Sequence, residues 1–107
     1  MNVQFKKGVL ELCVLALLTK KNRYGYDLVN EISKNIEFSE GTIYPLLRRL
    51  KNVKYVTTYL QESQEGAPRK YYKLTTSGQK ITEDLKKDWY DFVGKVNYLL
   101  EGGDTNE

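Results

Sequence analysis

The chain has 107 residues, 40% hydrophobic and 29% charged, with a formal net charge of +3, which fits one small domain. No apolar run is long enough to span a bilayer, and the single cysteine, Cys13, excludes an internal disulfide and fits a reducing cytoplasm. With no histidine, no Gly-rich phosphate loop and no paired-carboxylate or nucleophile motif, the sequence argues against an enzyme, a metal site or a bound cofactor.

Two helices are predicted in the first third of the chain. Phe5 to Lys20 is apolar nearly all round, which is typical of a central helix, and it also offers Leu10 as a candidate dimer contact. After a polar break, Tyr24 to Asn35 repeats large side chains every four residues, at Tyr24, Leu28 and Ile32. A short turn then leads into a third helix, and this close succession favours a helix-turn-helix.

The third predicted helix, Ser39 to Lys51, combines an apolar face with a hydrogen-bonding, basic face. The apolar side chains recur at i, i+3, i+4 and i+7, and they are Ile43, Leu46, Leu47 and Leu50. The opposite face carries Thr42, Tyr44, Arg48, Arg49 and Lys51. Ser39 is expected to cap the helix start, where the positive end of the dipole favours a phosphate. Pro45 should cost up to ~3 kcal/mol inside a helix, and Gly41 can ease the crowding. These features predict a helix that reads DNA.

Two strands follow the third helix. Tyr55 to Gln61 and Arg69 to Thr75 are rich in aromatic and β-branched residues, and the polar segment Glu62 to Pro68 between them predicts a protruding loop, or wing. Along the second strand one alternating set comprises Arg69, Tyr71 and Lys73, and the other comprises Lys70, Tyr72 and Leu74. The spacing alone leaves open which set faces inward.

A long terminal helix is predicted from Thr76 to Glu101, with Thr76 capping its start and two glycines ending it. Its apolar positions are close to a heptad seam: Ile81, Leu85, Trp89, Phe92, Val96 and Leu99. Because a helix this long overhangs a small domain, we expect the seam to form a symmetric dimer contact. The alternative is that the helix folds back on its own domain.

The order of these elements is that of a winged helix-turn-helix, and the chain resembles PadR-type transcriptional regulators. The resemblance lies in three strings: YGYDL at Tyr24 to Leu28, EGTIYPLLRRL at Glu40 to Leu50, and GAPRKYYKLTTSG at Gly66 to Gly78. The single terminal helix resembles the short subgroup of that family. The chain departs from the family at Lys54, where members usually carry glycine, so a left-handed turn there would be strained.

The resemblance implies that the third helix enters the major groove, with Thr42 and Tyr44 at groove-facing positions and Arg48 at a basic position beyond them. It also implies that Arg69 and Lys70 contact DNA from the wing. From the residue types alone, Ser39 and Lys73 suit phosphate contacts, and Tyr24 suits either a phosphate contact or packing. Arg49 is more simply explained as a solvated charge.

The resemblance also implies an aromatic side chain at the dimer contact, which is Trp89 here. In some members of the family this contact encloses a pocket for flat apolar compounds, and Leu85 and Val93 would then be its neighbours. Packing alone is the simpler explanation of Trp89.

The sequence therefore predicts a mostly α fold with a small β-hairpin, organised as a winged helix-turn-helix over 1–75, a dimerisation helix over 76–101 and a disordered tail over 102–107. The first part carries 13 Lys and Arg against 7 Asp and Glu, a balance of +6, and residues 76–107 carry 4 against 7, a balance of −3. This asymmetry favours a nucleic-acid partner. We expect a cytoplasmic homodimer that binds double-stranded DNA, a repressor with a possible small apolar or aromatic effector. The alternative is a winged-helix interaction module that does not bind specific DNA.

Overall fold

Four helices and a three-stranded antiparallel sheet make up residues 3–104, the part of the chain that the computed structural model describes, with side chains described for 8–39 and 41–104. The elements are α1 Val3–Lys20, β1 Arg23–Tyr24, α2 Gly25–Ser33, α3 Glu40–Asn52, β2 Val56–Ser63, β3 Gly66–Leu74 and α4 Thr76–Leu100. This architecture confirms the predicted winged helix-turn-helix with a long terminal helix. No helix in the described range is long and apolar enough to cross a membrane.

The core lies where α1, α2 and α3 meet the sheet, because the predicted apolar faces of these helices point toward one another. Its buried side chains are Leu10, Val14, Leu15, Leu18, Leu28, Val29, Ile32, Ile43, Leu46, Leu47, Leu50, Val56 and Tyr72. Leu10 has 0% exposure. This corrects the prediction of a dimer contact at Leu10, because a side chain without exposed surface in its own domain cannot touch a second subunit.

The sheet has the order β1-β3-β2, so β3 is central. The two-residue strand β1 was not predicted, and it pairs Arg23 with Tyr72 and Tyr24 with Tyr71. The hairpin strands run further than predicted, to Ser63 and Gly66, so most of the expected loop is strand.

The register decides which alternating set of β3 faces inward. Tyr72 and Leu74 pack on the core with Val56, and their neighbours Arg69, Tyr71 and Lys73 point to the outer face of the sheet.

The start of α4 is bound to the turn that follows α3. Its cap is Thr75 rather than the predicted Thr76: the Thr75 hydroxyl accepts from the Gly78 N–H at 3.0 Å and donates to the Lys54 carbonyl at 2.7 Å. Lys54 has a φ of 66°, so the left-handed turn is kept without glycine, and the Ser77 hydroxyl donates to the same carbonyl at 3.1 Å. These hydrogen bonds hold Lys54 in the strained conformation.

Beyond its first turns α4 leaves the domain. Ile81 and Leu85 pack against the core, whereas the exposed side chains Phe92, Leu99 and Leu100 follow later in the helix, and the molecule measures 66 × 28 × 21 Å. The first half of α4 therefore folds back on its own domain, and its second half overhangs the domain.

The predicted disordered tail begins as an ordered helix end. Gly103 has a φ of 63°, and its N–H donates to the carbonyl of Tyr98 at 2.9 Å, which closes the last turn. The rest of the predicted tail, 105–107, lies outside the described residues.

Candidate nucleic-acid interface

Helix α3 is divided lengthwise into a buried half and an exposed half. Its apolar residues lie in the core with exposures of 0 to 6%. On the other side Tyr44 is 43% exposed, Arg48 is exposed and Thr42 is half-buried. Pro45 lies inside the helix, which continues through it. Gly41, four residues earlier, faces open space, since a Cβ built there would have no atom outside the helix within 4 Å. Tyr44 and Arg48 lie on the side of the exposed half nearer Tyr72, whereas Thr42 lies at its other edge, beside Arg49.

The start of α3 differs from the prediction. The Ser39 side chain makes no capping hydrogen bond, and its hydroxyl instead lies 3.0 Å from the hydroxyl of Thr42. The Thr42 N–H donates to the Ser39 carbonyl at 3.0 Å. Because both hydroxyls sit beside the positive end of the helix dipole, this end suits an anionic oxygen.

Arg49 is an exposed but paired charge rather than an isolated one. Its Nε donates to Oε1 of Glu11 at 2.6 Å and its Nη2 to Oε2 at 2.5 Å, which ties α3 to α1 across 38 positions of the sequence. The hydrogen bond to Glu11 is the main cause that raises the pKa of Arg49 above its ordinary value. Arg48, the adjacent residue, makes no ion pair with any described residue.

Three elements come together at Tyr72. A Cβ at Gly25, the first residue of α2, would lie 3.8 Å from Cε1 of Tyr44, an ordinary contact, and 3.2 Å from Cε1 of Tyr72, so the Tyr72 ring would have to shift by a few tenths of an ångström. Burial raises the pKa of the Tyr72 phenol, with Tyr44 adding to the effect and Arg48 opposing it. The exposed face of α3 therefore borders the inner face of β3.

The two predicted wing cations point in opposite directions. Arg69 lies on the outer face of the sheet, with its Cζ 5.0 Å from the ring centroid of Tyr24 and its Nη2 3.9 Å from the Glu65 carboxylate. Lys70 is exposed on the inner face, paired in register with Leu60. Lys73 is exposed on the outer face with Arg69.

A row of tyrosines crosses the outer face, and the sequence analysis did not predict it. Ring centroids are 6.3 Å apart for Tyr26 and Tyr24, 6.1 Å for Tyr24 and Tyr71, and 5.6 Å for Tyr71 and Tyr59. The adjacent tyrosines of β3 were visible in the sequence, but the row depends on the pairing of β3 with the unpredicted β1.

The predicted dimer residues on α4 fall into three groups. Ile81 and Leu85 pack on their own domain, Trp89 and Val96 are half-buried, and Phe92 and Leu99 are 52% and 70% exposed.

Two of the three residues of the predicted effector pocket, Leu85 and Trp89, line a groove between α1 and α4. The groove has a volume of about 330 Å³ and is lined by Gly8, Val9, Leu12, Leu85, Asp88, Trp89 and Phe92. Val93, the third predicted pocket residue, does not line it.

Comparison with known proteins gives consistent matches. The sequence model of the family described as Transcriptional regulator PadR-like matches residues 14–84. The crystal structure of a PadR-like transcriptional regulator from Bacillus cereus is 40% identical, with a TM-score of 0.84, over 92% of this chain and 98% of that chain. A PadR-like transcription factor from Bacteroides fragilis is 39% identical, with a TM-score of 0.76, over 90% and 94%. An uncharacterised protein from Lysinibacillus sphaericus is 30% identical over 90% of this chain and 92% of its own.

Proposed function

Because the chain belongs to the PadR-like family of transcriptional regulators, we propose that it is a homodimeric repressor that binds an inverted-repeat operator in the cytoplasm. Family membership itself confirms the expectation of a DNA-binding regulator that is not an enzyme. The observation that carries the finer proposal is the division of α3, whose buried half fixes the helix while Thr42, Tyr44 and Arg48 face outward.

In the proposed complex α3 lies in the major groove, which is wide enough for an α-helix. Arg48 can donate two hydrogen bonds to O6 and N7 of guanine or to a phosphate, and the hydroxyls of Thr42 and Tyr44 suit phosphate oxygens. Ser39 at the helix start adds a further phosphate contact. Most of these contacts position the protein, and Arg48 is the best candidate to distinguish bases.

The wing supplies the second set of contacts. Arg69, Lys73 and Tyr24 share the outer face of the sheet, and Lys70 projects from the inner face, on the side of the sheet where Tyr44 lies. A hairpin that carries cations on both faces can place one on each wall of a minor groove. We therefore propose that Lys70 contacts the phosphate strand nearer α3 and that Arg69 contacts the strand beyond the wing.

The overhang of α4 supports the dimer. Phe92, Leu99 and Leu100 would be removed from water if two overhangs paired, and about 25 cal/mol is gained per Å² of apolar surface buried. A twofold axis through this seam would place two α3 helices against two half-sites, which is why we propose an inverted repeat.

We propose that an apolar or aromatic effector, if one acts on this protein, binds the groove beside Leu85 and Trp89. Its volume of about 330 Å³ suits a small aromatic compound. Such a compound would release DNA only if it bound one arrangement of the two reading helices better than the other.

The test is an electrophoretic shift with fragments of the protein's own upstream region, with salt titrated and excess nonspecific DNA present. We expect a salt-sensitive complex with two subunits per site, and a lower transcript yield when the protein is added to RNA polymerase on the same fragment. A higher transcript yield would instead show that the protein is an activator. Absence of binding at low salt would instead favour a winged-helix interaction module.

A further inference from the structure

We infer that Tyr71 is a positioning residue for DNA binding, which holds Tyr24 and Arg69 in the arrangement that contacts the phosphate backbone. This inference rests on the proposed function. Tyr71 was assigned no role in the sequence analysis, and its side chain is half-buried on the outer face of the sheet.

Tyr71 is the central member of the tyrosine row. It lies on the middle strand β3, in register with Tyr24 on one side and Tyr59 on the other, and its ring centroid is 6.1 Å and 5.6 Å from theirs. The row is anchored at its far end, where the Asn22 side-chain amide donates to the Tyr59 hydroxyl at 3.1 Å. A ring in this position is supported from both sides.

Arg69 is the group that the row holds in place. It precedes Tyr71 by two residues on the same face, and its guanidinium lies 5.0 Å from the centroid of the Tyr24 ring. Its only ion pair with a described residue is to Glu65, at 3.9 Å, and the Glu65 side chain is 86% exposed. A pair this long and solvated restrains the guanidinium little, so the Tyr24 ring is its main support.

The support for Tyr24 depends in turn on Tyr71. Strand β1 has two residues, and Tyr24 is in register only with Tyr71. Without the Tyr71 ring, Tyr24 and Arg69 gain rotamers that DNA binding must then order, and an unordered arginine makes a weaker phosphate contact.

A double-mutant cycle tests the inference. Binding of the full chain to a fluorescein-labelled mixed-sequence duplex is measured by anisotropy over a series of salt concentrations. We expect Arg69→Ala to lower the slope of log K against log salt by about 0.9 per subunit, the value of one lost phosphate contact. We expect Tyr71→Val to lower it similarly, and Arg69→Ala to have almost no further effect in the Tyr71→Val background.

The matched control is Tyr71→Phe, which keeps the ring and should keep the parent slope. Tyr71→Thr is a second ringless replacement that suits a strand, for use if circular dichroism shows that Tyr71→Val is unfolded. If the reductions in slope caused by the two substitutions add in the double variant, the inference is overturned, because a merely structural tyrosine acts independently of Arg69. An unchanged slope in Arg69→Ala alone would also overturn it, and a parent protein that binds no DNA would overturn the proposed function itself.

Discussion

Arg49 of α3 and Glu11 of α1 form a bidentate ion pair, with Nε 2.6 Å from Oε1 and Nη2 2.5 Å from Oε2. The fork of the guanidinium matches the two carboxylate oxygens, so the pair fixes both the distance and the orientation of the reading helix relative to α1. Its neighbour Arg48 points away from this pair. The two arginines are adjacent in the sequence, but of the two only Arg49 forms an ion pair with a described residue.

Replacing each arginine separately should weaken DNA binding in one variant and lower stability in the other. Arg48→Ala should weaken binding to DNA and lower the slope of log K against log salt by about 0.9 per subunit, with little change in the free energy of unfolding. Arg49→Ala should leave the slope unchanged and cost about 0.5 to 1 kcal/mol of stability, since the pair is partly exposed. Anisotropy titrations and urea unfolding measure the two effects. The assignment fails if Arg49→Ala reduces the slope as much as Arg48→Ala does.

Gly78 should tolerate no side chain. A Cβ there would lie 2.0 Å from the carbonyl oxygen of Tyr55, which is backbone and cannot rotate away, so we expect Gly78→Ala to cost about 3 kcal/mol. Gly94 lies in the same helix with no atom outside the helix within 4 Å, and Gly94→Ala should instead gain about 0.5 to 1 kcal/mol. Thermal unfolding followed by circular dichroism compares the two. Equal melting temperatures for both variants would show that the start of α4 is looser than described.

The overhang of α4 should determine the affinity of the dimer. Leu99 is 70% exposed in one subunit, so Leu99→Lys should raise the dissociation constant of the dimer more than about tenfold, because each buried leucine contributes about 1.5 to 3 kcal/mol. Leu60 on the wing is 69% exposed, and Leu60→Lys is the matched control that should leave association unchanged. Sedimentation velocity over a dilution series measures both. A dimer that is equally tight in both variants would exclude Leu99 from the contact.

The stability of the domain should fall in alkaline solution. Burial raises the pKa of the Tyr72 phenol above its ordinary value of about 10, so the unfolded chain releases this proton first and the folded state loses stability as pH rises above about 10. Burial raises the pKa of the Cys13 thiol as well. Because a thiol ordinarily loses its proton at a lower pH than a phenol, the loss of stability begins at a somewhat lower pH than for Tyr72 alone. Each group that keeps its proton in the folded state but loses it in the unfolded state lowers the free energy of unfolding by at most about 1.4 kcal/mol per pH unit.

Urea unfolding of Tyr72→Phe at several pH values isolates the phenol. This variant should lose less stability above pH about 10 than the parent. Identical curves for Tyr72→Phe and the parent would assign the alkaline loss to other groups.

The sequence was informative where a pattern is local. The spacing of Ile43, Leu46 and Leu50 predicted the buried face of α3, and polar and glycine residues marked the ends of the helices within a few positions. The resemblance to the family pointed to Lys54 as well, because a left-handed turn kept at a position where members usually carry glycine would be strained, and the turn is kept. Local spacing thus accounts for the helices and for their order.

What the sequence analysis missed depends on contacts between distant residues. Glu11 and Arg49 are 38 positions apart, and nothing in the spacing of either helix predicts that they meet. Strand β1 has two residues, too few for an alternating pattern, and without it the tyrosine row could not be assembled. To predict that Arg69 and Lys70 point in opposite directions relative to the core, the register of the hairpin must be known. The polar residues of the wing do not specify that register.

In the proposed dimer, the attachment of α4 to the turn at Lys54 would link the position of each α3 helix to the dimer contact. The hydroxyls of Thr75 and Ser77 both donate to the Lys54 carbonyl, so the end of α3 must follow any rotation of α4. In a dimer paired near Phe92, about 21 Å along the helix from Gly78, a rotation of about 10° displaces the start of α4 by about 4 Å. That displacement exceeds the rise of about 3.4 Å for one base pair, so in the proposed dimer a small repacking of the seam would change the operator length that both subunits can span.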